Sequence, residues 1–207
     1  MVFTGIVEGT GIVSKIIRKE NLSSIIIQTS SEFNKGIQVG ASVCVDGVCL
    51  TVTNINLDSL EFDVIIETLK VTTFGDIKTN SVVNIERSMK LGDEIGGHMI
   101  SGHVFDTVTI TDIKEPKNNY ILTLKCNSRL QKYIFSKGYI SLNGISLTIG
   151  EVDKINNTFT VYLIPETLRL TNIIHKVVGD SINIEIETQT RNTVDTILEM
   201  NKESIHG

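Results

Sequence analysis

Two short runs of small polar side chains occupy matched places in the two halves of the chain. Cys49 and Thr51 alternate with apolar residues in the first half, and Ser146 and Thr148 do so in the second. Because side chains alternate between the two faces of a strand, each pair shares one face, opposite an apolar row. Hydroxyls and thiols donate and accept hydrogen bonds, and an ionised thiol is a nucleophile. The pairs are therefore either parts of ligand-binding sites or ordinary solvated strand faces.

Histidine and cysteine supply the other reactive groups. An unperturbed histidine has a pKa of about 6.5 and can take up or release a proton at neutral pH, so His103 is a candidate proton carrier, with a structural histidine as the alternative. Cys49 is either a nucleophile or an inert small apolar residue. His98 and His103 have no third ligand at a recognised spacing, so no metal site is predicted.

The two polar pairs belong to a duplication that spans most of the chain. Residues 3–86 match residues 100–185 in the same order, at an offset of 97 over the first two thirds of each copy, as from Cys49 to Ser146. A duplication of this length predicts two similar domains, each carrying a counterpart of any site on the other.

Short segments rich in Val, Ile, Thr and Phe predict six strands in each half. The dipeptides Asp46-Gly47 and Asn143-Gly144 predict type I′ hairpins, whose two turn residues need positive φ. Six short strands suit a closed barrel, which leaves no sheet edge, so we predict an all-β fold of two tandem barrels. The predicted strands are Gly5–Ile17, Ser23–Thr29, Ser42–Val45, Cys49–Asn54, Leu60–Ile66, Val82–Arg87, Gly102–Ile113, Tyr120–Lys125, Tyr139–Leu142, Ser146–Val152, Thr158–Leu163 and Ser181–Ile186.

Composition and patterning set the domain organisation and exclude some partners. The 207 residues are 41% hydrophobic, enough for two cores of roughly 90 residues each. We predict a first barrel with its connector at 1–97, a second barrel at 98–190 and a helix at 191–207. Val194, Ile197, Leu198 and Asn201 have helical spacing. A helix this short is marginal alone, so its apolar stripe should pack on another surface.

Charge, hydropathy and cysteine content limit the function class. A formal charge of -5 without a cluster of basic residues argues against a nucleic-acid partner. The lack of an apolar run of roughly 18 residues argues against a membrane span. Three cysteines, an odd number, favour reduced thiols and hence the cytoplasm.

Five motifs follow one another along the chain: Phe3–Glu8, Gly47–Val52, Asp93–His103, Gly144–Thr148 and Ile164–Leu168. In chain order from Met1 to about Asp195, the sequence resembles the riboflavin synthase family. The resemblance implies a homotrimer of Greek-key double barrels joined through the C-terminal helix. It implies a reaction in which two molecules of 6,7-dimethyl-8-ribityllumazine dismutate by four-carbon transfer into riboflavin and 5-amino-6-(D-ribitylamino)uracil, with no cofactor. An association with lumazine synthase stays open.

The resemblance also implies two substrate cradles, one on each barrel, with the N-terminal barrel of one subunit facing the C-terminal barrel of its neighbour. The N-terminal cradle would use Gly5, Ile6, Val7, Cys49, Leu50, Thr51, Asp63, Val64, Ile65, Ile66, Glu67 and Thr68. The C-terminal cradle would use Gly102, His103, Val104, Lys137, Ser146, Leu147, Thr148, Tyr162, Leu163, Ile164, Pro165, Glu166 and Thr167.

Six residues fall on or near positions that the family associates with the reaction: Phe3, Ser42, Cys49, His103, Ser146 and Glu187. Ser146 is expected to act as a hydrogen-bond donor, and Phe3 either fills the core or stacks beside the ligand. Glu187 stands where many members carry aspartate. Two rival functions share the fold: a non-catalytic lumazine-binding antenna protein and an interaction module that binds no lumazine.

Overall fold

The computed structural model describes residues 2–117 and 119–206. Two closed antiparallel barrels of six strands each follow one another along the chain, which confirms the predicted fold class. The N-terminal barrel contains β1 (Gly9–Arg18), β2 (Leu22–Gln28), β3 (Ser42–Val45), β4 (Val48–Asn56), β5 (Ser59–Ile65) and β6 (Val82–Arg87). The C-terminal barrel contains β7 (Asp106–Lys114), β8 (Tyr120–Lys125), β9 (Tyr139–Leu142), β10 (Ile145–Asp153), β11 (Thr158–Leu163) and β12 (Ser181–Ile186).

Both barrels have the same strand order. Around the first barrel the order is β1-β2-β5-β4-β3-β6, and around the second it is β7-β8-β11-β10-β9-β12. Three consecutive hairpin-linked strands followed by a strand that returns beside the first of them form a Greek key. The tight hairpins are those predicted, since Asp46, Gly47, Asn143 and Gly144 all have positive φ. The duplication in the sequence is therefore a duplication of topology and of turns.

Each barrel is filled by the inward-facing rows of its strands. Phe62 and Leu60 are fully buried in the N-terminal core, and Phe159 occupies the matching place in the C-terminal core. Each core also receives a residue from the segment that precedes the other barrel: Val7 packs in the C-terminal core and Val104 against the N-terminal core. The two barrels are thus joined by crossed segments rather than by a simple linker.

The first strand of each copy is shorter than predicted. We predicted strands from Gly5 and Gly102, but β1 begins at Gly9 and β7 at Asp106. The residues before each strand direct hydrogen bonds to other parts of the molecule; Phe3, for example, pairs antiparallel with Ile100. These segments have strand-forming sequence, but their backbone groups bond to the other copy rather than extend β1 and β7.

Short helices were missed in the sequence analysis. Six-residue helices follow β5 and β11, where their few residues give no helical period to detect. The C-terminal helix begins at Thr188, ahead of the predicted 191–207, and packs on the C-terminal barrel through Val194. In the described part of the chain, no helix is long and apolar enough to cross a membrane. The helices are α1 (Ser31–Asn34), α2 (Ile66–Val71), α3 (Pro165–Leu170) and α4 (Thr188–His206).

Candidate active site

The strands after the two hairpins present the polar pairs as predicted. On β4, Leu50 is buried while Cys49 is half-buried and Thr51 exposed. On β10, Ser146 is half-buried and Thr148 exposed, with apolar neighbours turned inward. The alternation argument is confirmed, and each barrel carries a small polar row on its outer face.

The glycine turns that reach these polar rows come from the other copy. The backbone N–H of Cys49 donates to the carbonyl oxygen of Gly102 over 2.9 Å, and that of Ser146 donates to Gly5 over 2.8 Å. Grouping Gly5 to Val7 with Cys49 was therefore wrong, and so was grouping Gly102 to Val104 with Ser146. Because the segments before β1 and β7 cross, each polar row meets the glycine turn of the opposite repeat.

The outer face around Cys49 brings together three of the residues predicted to act in the reaction. Ser42 on β3 lies beside β4, and its side chain is hydrogen-bonded to Cys49. Burial raises the pKa of the Cys49 thiol more than this hydrogen bond lowers it, so the thiol is protonated at neutral pH. His103 follows Gly102 directly and is exposed. This face offers a neutral thiol and a hydroxyl, and the exposed His103 lies one residue beyond the contact between Gly102 and Cys49.

The next strand, β5, extends the same N-terminal surface. Asp63 is exposed and accepts a hydrogen bond of 2.6 Å from the hydroxyl of Ser24, which also receives the ammonium group of Lys19 over 3.0 Å. Val64 points into the core, whereas Ile65 is exposed. Ile66, Glu67 and Thr68 form the first turn of α2. Exposed carboxylate and apolar groups therefore adjoin the Cys49 face.

A histidine outside the predicted site contacts the C-terminal polar row. The Nδ1 atom of His98 is 2.7 Å from the Oγ atom of Ser146, and its ring stacks on Tyr139 with centroids 5.3 Å apart. Burial lowers the pKa of His98, and the carboxylate of Glu187 only partly offsets this effect. Of the two tautomers of a neutral imidazole, the one that carries its proton on Nδ1 donates to the Ser146 hydroxyl and leaves the hydroxyl proton free for a ligand.

Glu187 connects this site to the C-terminal helix. Its carboxylate accepts hydrogen bonds from both the backbone N–H and the hydroxyl of Thr190, in the first turn of α4. Such a bond satisfies a helix N–H group that has no partner inside the helix. Glu187 thus lies close enough to His98 to raise the pKa of the imidazole. Its carboxylate is at the same time hydrogen-bonded to the first turn of α4.

Most of the other residues of the predicted C-terminal cradle lie on β11 and at the start of α3. Tyr162 is exposed, and a side chain at Gly150 would meet its ring at 2.4 Å. Lys137 is exposed and has a positive φ of 68°. Leu147 and Leu163 face the core. Ile164, Pro165, Glu166 and Thr167 lie at the start of α3, where Glu166 pairs with Arg169.

Phe3 lies deep between the barrels rather than on a surface. It is fully buried, and it forms a small cluster with Cys44 and Ile100 in which the side chain of Cys49 takes part. Of its two predicted roles, filling the core is the one that this position describes.

The crossing also explains why His98 was missed. His98 belongs to the same motif as His103, five residues further on, and the sequence analysis considered it only as a metal ligand. His98 contacts Ser146 on the C-terminal barrel, whereas His103 follows Gly102, which contacts Cys49 on the N-terminal barrel. Tyr139, on which His98 stacks, stands where the first copy has Ser42.

Comparison with known proteins places this arrangement in a family. The family model described as "Lumazine binding domain" matches the chain twice, at residues 4–88 and 101–187. Riboflavin synthase of Escherichia coli K12 is 44% identical over 196 residues, covering 94% of this chain and 91% of that protein. The chain belongs to the riboflavin synthase family. The riboflavin synthase of Bacillus subtilis 168 is 37% identical and covers 89% of this chain and 85% of its own length.

The solved structures with the same double barrel include those of LumP. A crystal structure of LumP complexed with 6,7-dimethyl-8-(1'-D-ribityl) lumazine superposes with a TM-score of 0.81 at 25% identity, covering 90% of this chain and 99% of LumP. LumP has also been solved with riboflavin, with a TM-score of 0.82 and 26% identity. Membership of the riboflavin synthase family, a family of transferases, thus agrees with a fold that holds lumazine and riboflavin in a relative.

Proposed function

We propose that this protein is a riboflavin synthase that converts two molecules of 6,7-dimethyl-8-ribityllumazine into riboflavin and 5-amino-6-(D-ribitylamino)uracil. One lumazine gives a four-carbon unit to the other. The observation that carries the proposal is that both barrels keep a complete polar row with its glycine turn, Cys49 with Gly102 and Ser146 with Gly5. A reaction between two identical molecules needs two such sites, held so that the reacting atoms meet.

The surface of each barrel suits a flat heterocycle with a polyhydroxyl tail. The donor and acceptor edge of the pteridine ring resembles that of a peptide, so strand ends and turns can bind it through backbone groups. Thr51 and Thr148 are the exposed members of the two polar rows. Thr68 and Thr167 lie in the first turns of α2 and α3. The hydroxyls of these threonines would hold the ribityl chain.

The chemical steps need a group that accepts a proton from the methyl on carbon 7 of one lumazine and a nucleophile added to carbon 7 of the other. His103, exposed beside the Cys49 row, is our candidate for moving the proton. Ser146, oriented by neutral His98, is our candidate hydrogen-bond donor to the second ring. The protonated thiol of Cys49 favours a binding role over attack.

Both sites lie on open faces of one chain, which favours a second subunit in the reaction. A ring bound over exposed Asp63, Ile65 or Tyr162 would have one side in solvent. We propose a homotrimer in which the N-terminal site of one subunit meets the C-terminal site of its neighbour. On α4, Ile197, Leu198 and Met200 are exposed to between 39% and 62%, and this apolar surface would form the trimer contact.

The alternative is a non-catalytic lumazine-binding antenna protein, favoured by the likeness to LumP. Such a protein needs one intact site. The deciding experiment mixes the purified protein with 6,7-dimethyl-8-ribityllumazine alone and follows absorbance and product identity. We expect riboflavin and the diaminouracil to form in equal amounts. Binding without conversion would favour the antenna function.

Matched variants make this experiment sharper. Under our proposal, Ser146→Ala and Cys49→Ala should each lower turnover, the first by about a hundredfold, since a lost hydrogen-bond donor to developing charge has an effect of that order. Each variant should still bind lumazine at the unaltered barrel. An antenna protein would instead lose lumazine binding in only one of the two variants, with no turnover in either.

A further inference from the structure

Two buried glutamates occupy matched positions on the last strand of each barrel. Glu86 on β6 and Glu185 on β12 are 4% and 5% exposed. No ion pair involves either carboxylate among residues 2–117 and 119–206. Burial raises the pKa of both groups. A carboxyl group held inside a protein without a cationic partner has to be satisfied by hydrogen bonds.

Each carboxylate binds the turn that leads to its glycine. The Oε1 atom of Glu185 accepts from the backbone N–H and the hydroxyl of Ser101, both over 2.7 Å, and Oε2 accepts from the N–H of Gly102 over 2.9 Å. The N–H of His103 donates to the same Ser101 hydroxyl over 3.2 Å. Glu185 thus fixes three consecutive residues of the turn.

The first copy repeats the arrangement atom for atom. The Oε1 atom of Glu86 accepts from the N–H of Thr4 over 2.6 Å and from its hydroxyl over 2.8 Å, and Oε2 accepts from the N–H of Gly5 over 3.1 Å. Ile6 donates its N–H to the Thr4 hydroxyl over 3.2 Å.

These turns press on the polar row of the opposite barrel. A Cβ atom at Gly102 would lie 2.5 Å from the Cβ of Cys49, and one at Gly5 would lie 2.6 Å from the Cβ of Ser146. Both glycines have positive φ, 77° and 74°. Backbone held this closely can shift the neighbouring side chain if its own anchor is lost.

We propose that Glu185 and Glu86 are positioning residues, each for the site on the other barrel: Glu185 through Gly102 for the Cys49 row, and Glu86 through Gly5 for the Ser146 row. The proposal deepens the proposed function, on which its catalytic meaning rests. The contact geometry itself does not depend on lumazine. Since His103 belongs to the turn that Glu185 holds, this carboxylate also sets where the candidate proton carrier lies.

Glutamine is the informative replacement. It keeps the size of the side chain and one acceptor oxygen, but it presents an NH₂ group where the second oxygen accepted a backbone N–H. Glu185→Gln should therefore loosen the turn at Gly102 and leave the barrel core packed. Glu86→Gln is the matched control, since it makes the same change in the other copy.

The readout is the rate at which iodoacetamide alkylates each cysteine, measured by peptide mass spectrometry on the full chain without ligand. We expect Glu185→Gln to speed alkylation of the Cys49 thiolate by about tenfold through local opening of the covering turn. The rate constant of the thiolate is taken from the pH dependence of alkylation, because the Glu185 carboxylate also raises the Cys49 pKa. Glu86→Gln should leave the Cys49 rate within about twofold. Cys126, buried in the C-terminal barrel that contains Glu185, reports on that barrel and should not change.

A converse experiment uses the Cys49→Ser, Ser146→Cys double variant, in which the only site thiol lies on the C-terminal barrel. There Glu86→Gln should speed its alkylation and Glu185→Gln should not. If either glutamine variant fails to fold, Ser101→Ala and Thr4→Val, which remove the hydroxyl of each turn, carry the same comparison.

Three results would overturn the proposal: an unchanged Cys49 rate in Glu185→Gln, an equal rise in Glu86→Gln, or a parallel rise at Cys126, which would mean a general loss of stability. None of these results depends on the reaction. Adding 6,7-dimethyl-8-ribityllumazine to the wild-type protein tests the proposed function separately, because a ligand on the Cys49 row should slow alkylation there.

Discussion

The two barrels share their frame and differ in the side chains that face a ligand. Strand order, hairpins and glycine turns are the same in both. On the outer face, Cys49 is replaced by Ser146 and Ser42 by Tyr139. Residues that hold the backbone are alike in the two copies, as are the threonines proposed to hold the ribityl chain, whereas the side chains at positions 42 and 49 differ from their counterparts. This pattern fits two sites that hold the same molecule and treat it differently.

The two histidines show the same contrast. His103 is exposed near the Cys49 row, whereas His98 is buried against Ser146 and Tyr139. An exposed imidazole can exchange protons with a ligand, and a buried neutral one can orient a hydroxyl. Under the proposed function, the N-terminal site would move the proton and the C-terminal site would bind and polarise the second ring.

The largest effect on stability is expected where the hairpins of the two barrels contact each other. The two hairpins touch at their tips, and a Cβ atom on Gly47, which has a φ of 80°, would lie 2.8 Å from the backbone nitrogen of Gly144. Gly47→Ala should lower the free energy of unfolding by about 3 kcal/mol, from left-handed backbone strain and overpacking together. Equilibrium urea unfolding measures this value.

Gly36→Ala is the control for the hairpin variant. Gly36 has a similar φ of 75° but no atom within 4 Å of its would-be Cβ, so it should show only the backbone term of about 1 kcal/mol. Equal losses in both variants would mean that the contact between the hairpins contributes nothing.

A smaller effect should separate the copies by their response to pH. Burial raises the pKa of Asp46 to about 7, while Asn84, Lys176 and Asn172 oppose this shift. The folded chain therefore keeps a proton that the unfolded chain releases near pH 4, and the stability from this group is lost as the pH rises from about 4 through about 7. Asp46→Asn removes this dependence and makes the first copy like the second, which has Asn143.

Relative to wild type, Asp46→Asn should therefore gain about 1 to 3 kcal/mol of unfolding free energy between pH 5 and pH 8. Asn143→Asp, the reverse exchange in the other copy, should lose stability over the same range. Urea unfolding at several pH values measures both. Parallel pH profiles for Asp46→Asn and wild type would show that Asp46 does not titrate as the structure indicates.

The hairpins and the strand limits, apart from the starts of β1 and β7, were predicted well because they depend on local sequence. Val82–Arg87 and Thr158–Leu163, for example, have their predicted limits, since alternating patterns bounded by turn residues determine them. The starts of β1 and β7 were wrong because a crossing between copies, which is not a local property, competes for the same backbone groups.

The site was only partly accessible from sequence for the same reason. The alternation on β4 and β10 placed Cys49 and Ser146 correctly. The family resemblance implied that each of them shares a cradle with the glycine turn of its own copy, and the crossing reverses this pairing. His98 could be found only in three dimensions, because its contact with Ser146 joins residues 48 positions apart.

The smallest effect is expected where the copies differ by one atom type. Cys49 and Ser146 hold the same position, and the raised pKa of the Cys49 thiol keeps it from acting as a thiolate at neutral pH. If the side chain only fills space and donates a hydrogen bond, Cys49→Ser should change the rate of riboflavin formation by less than about threefold, because the hydroxyl replaces both functions. Cys49→Val, which fills a similar volume without a donor, is the matched control and should lose more. A drop of a hundredfold or more in Cys49→Ser would contradict this interpretation and restore the thiol as a nucleophile, in which case the difference between the two barrels would be one of chemistry rather than of packing.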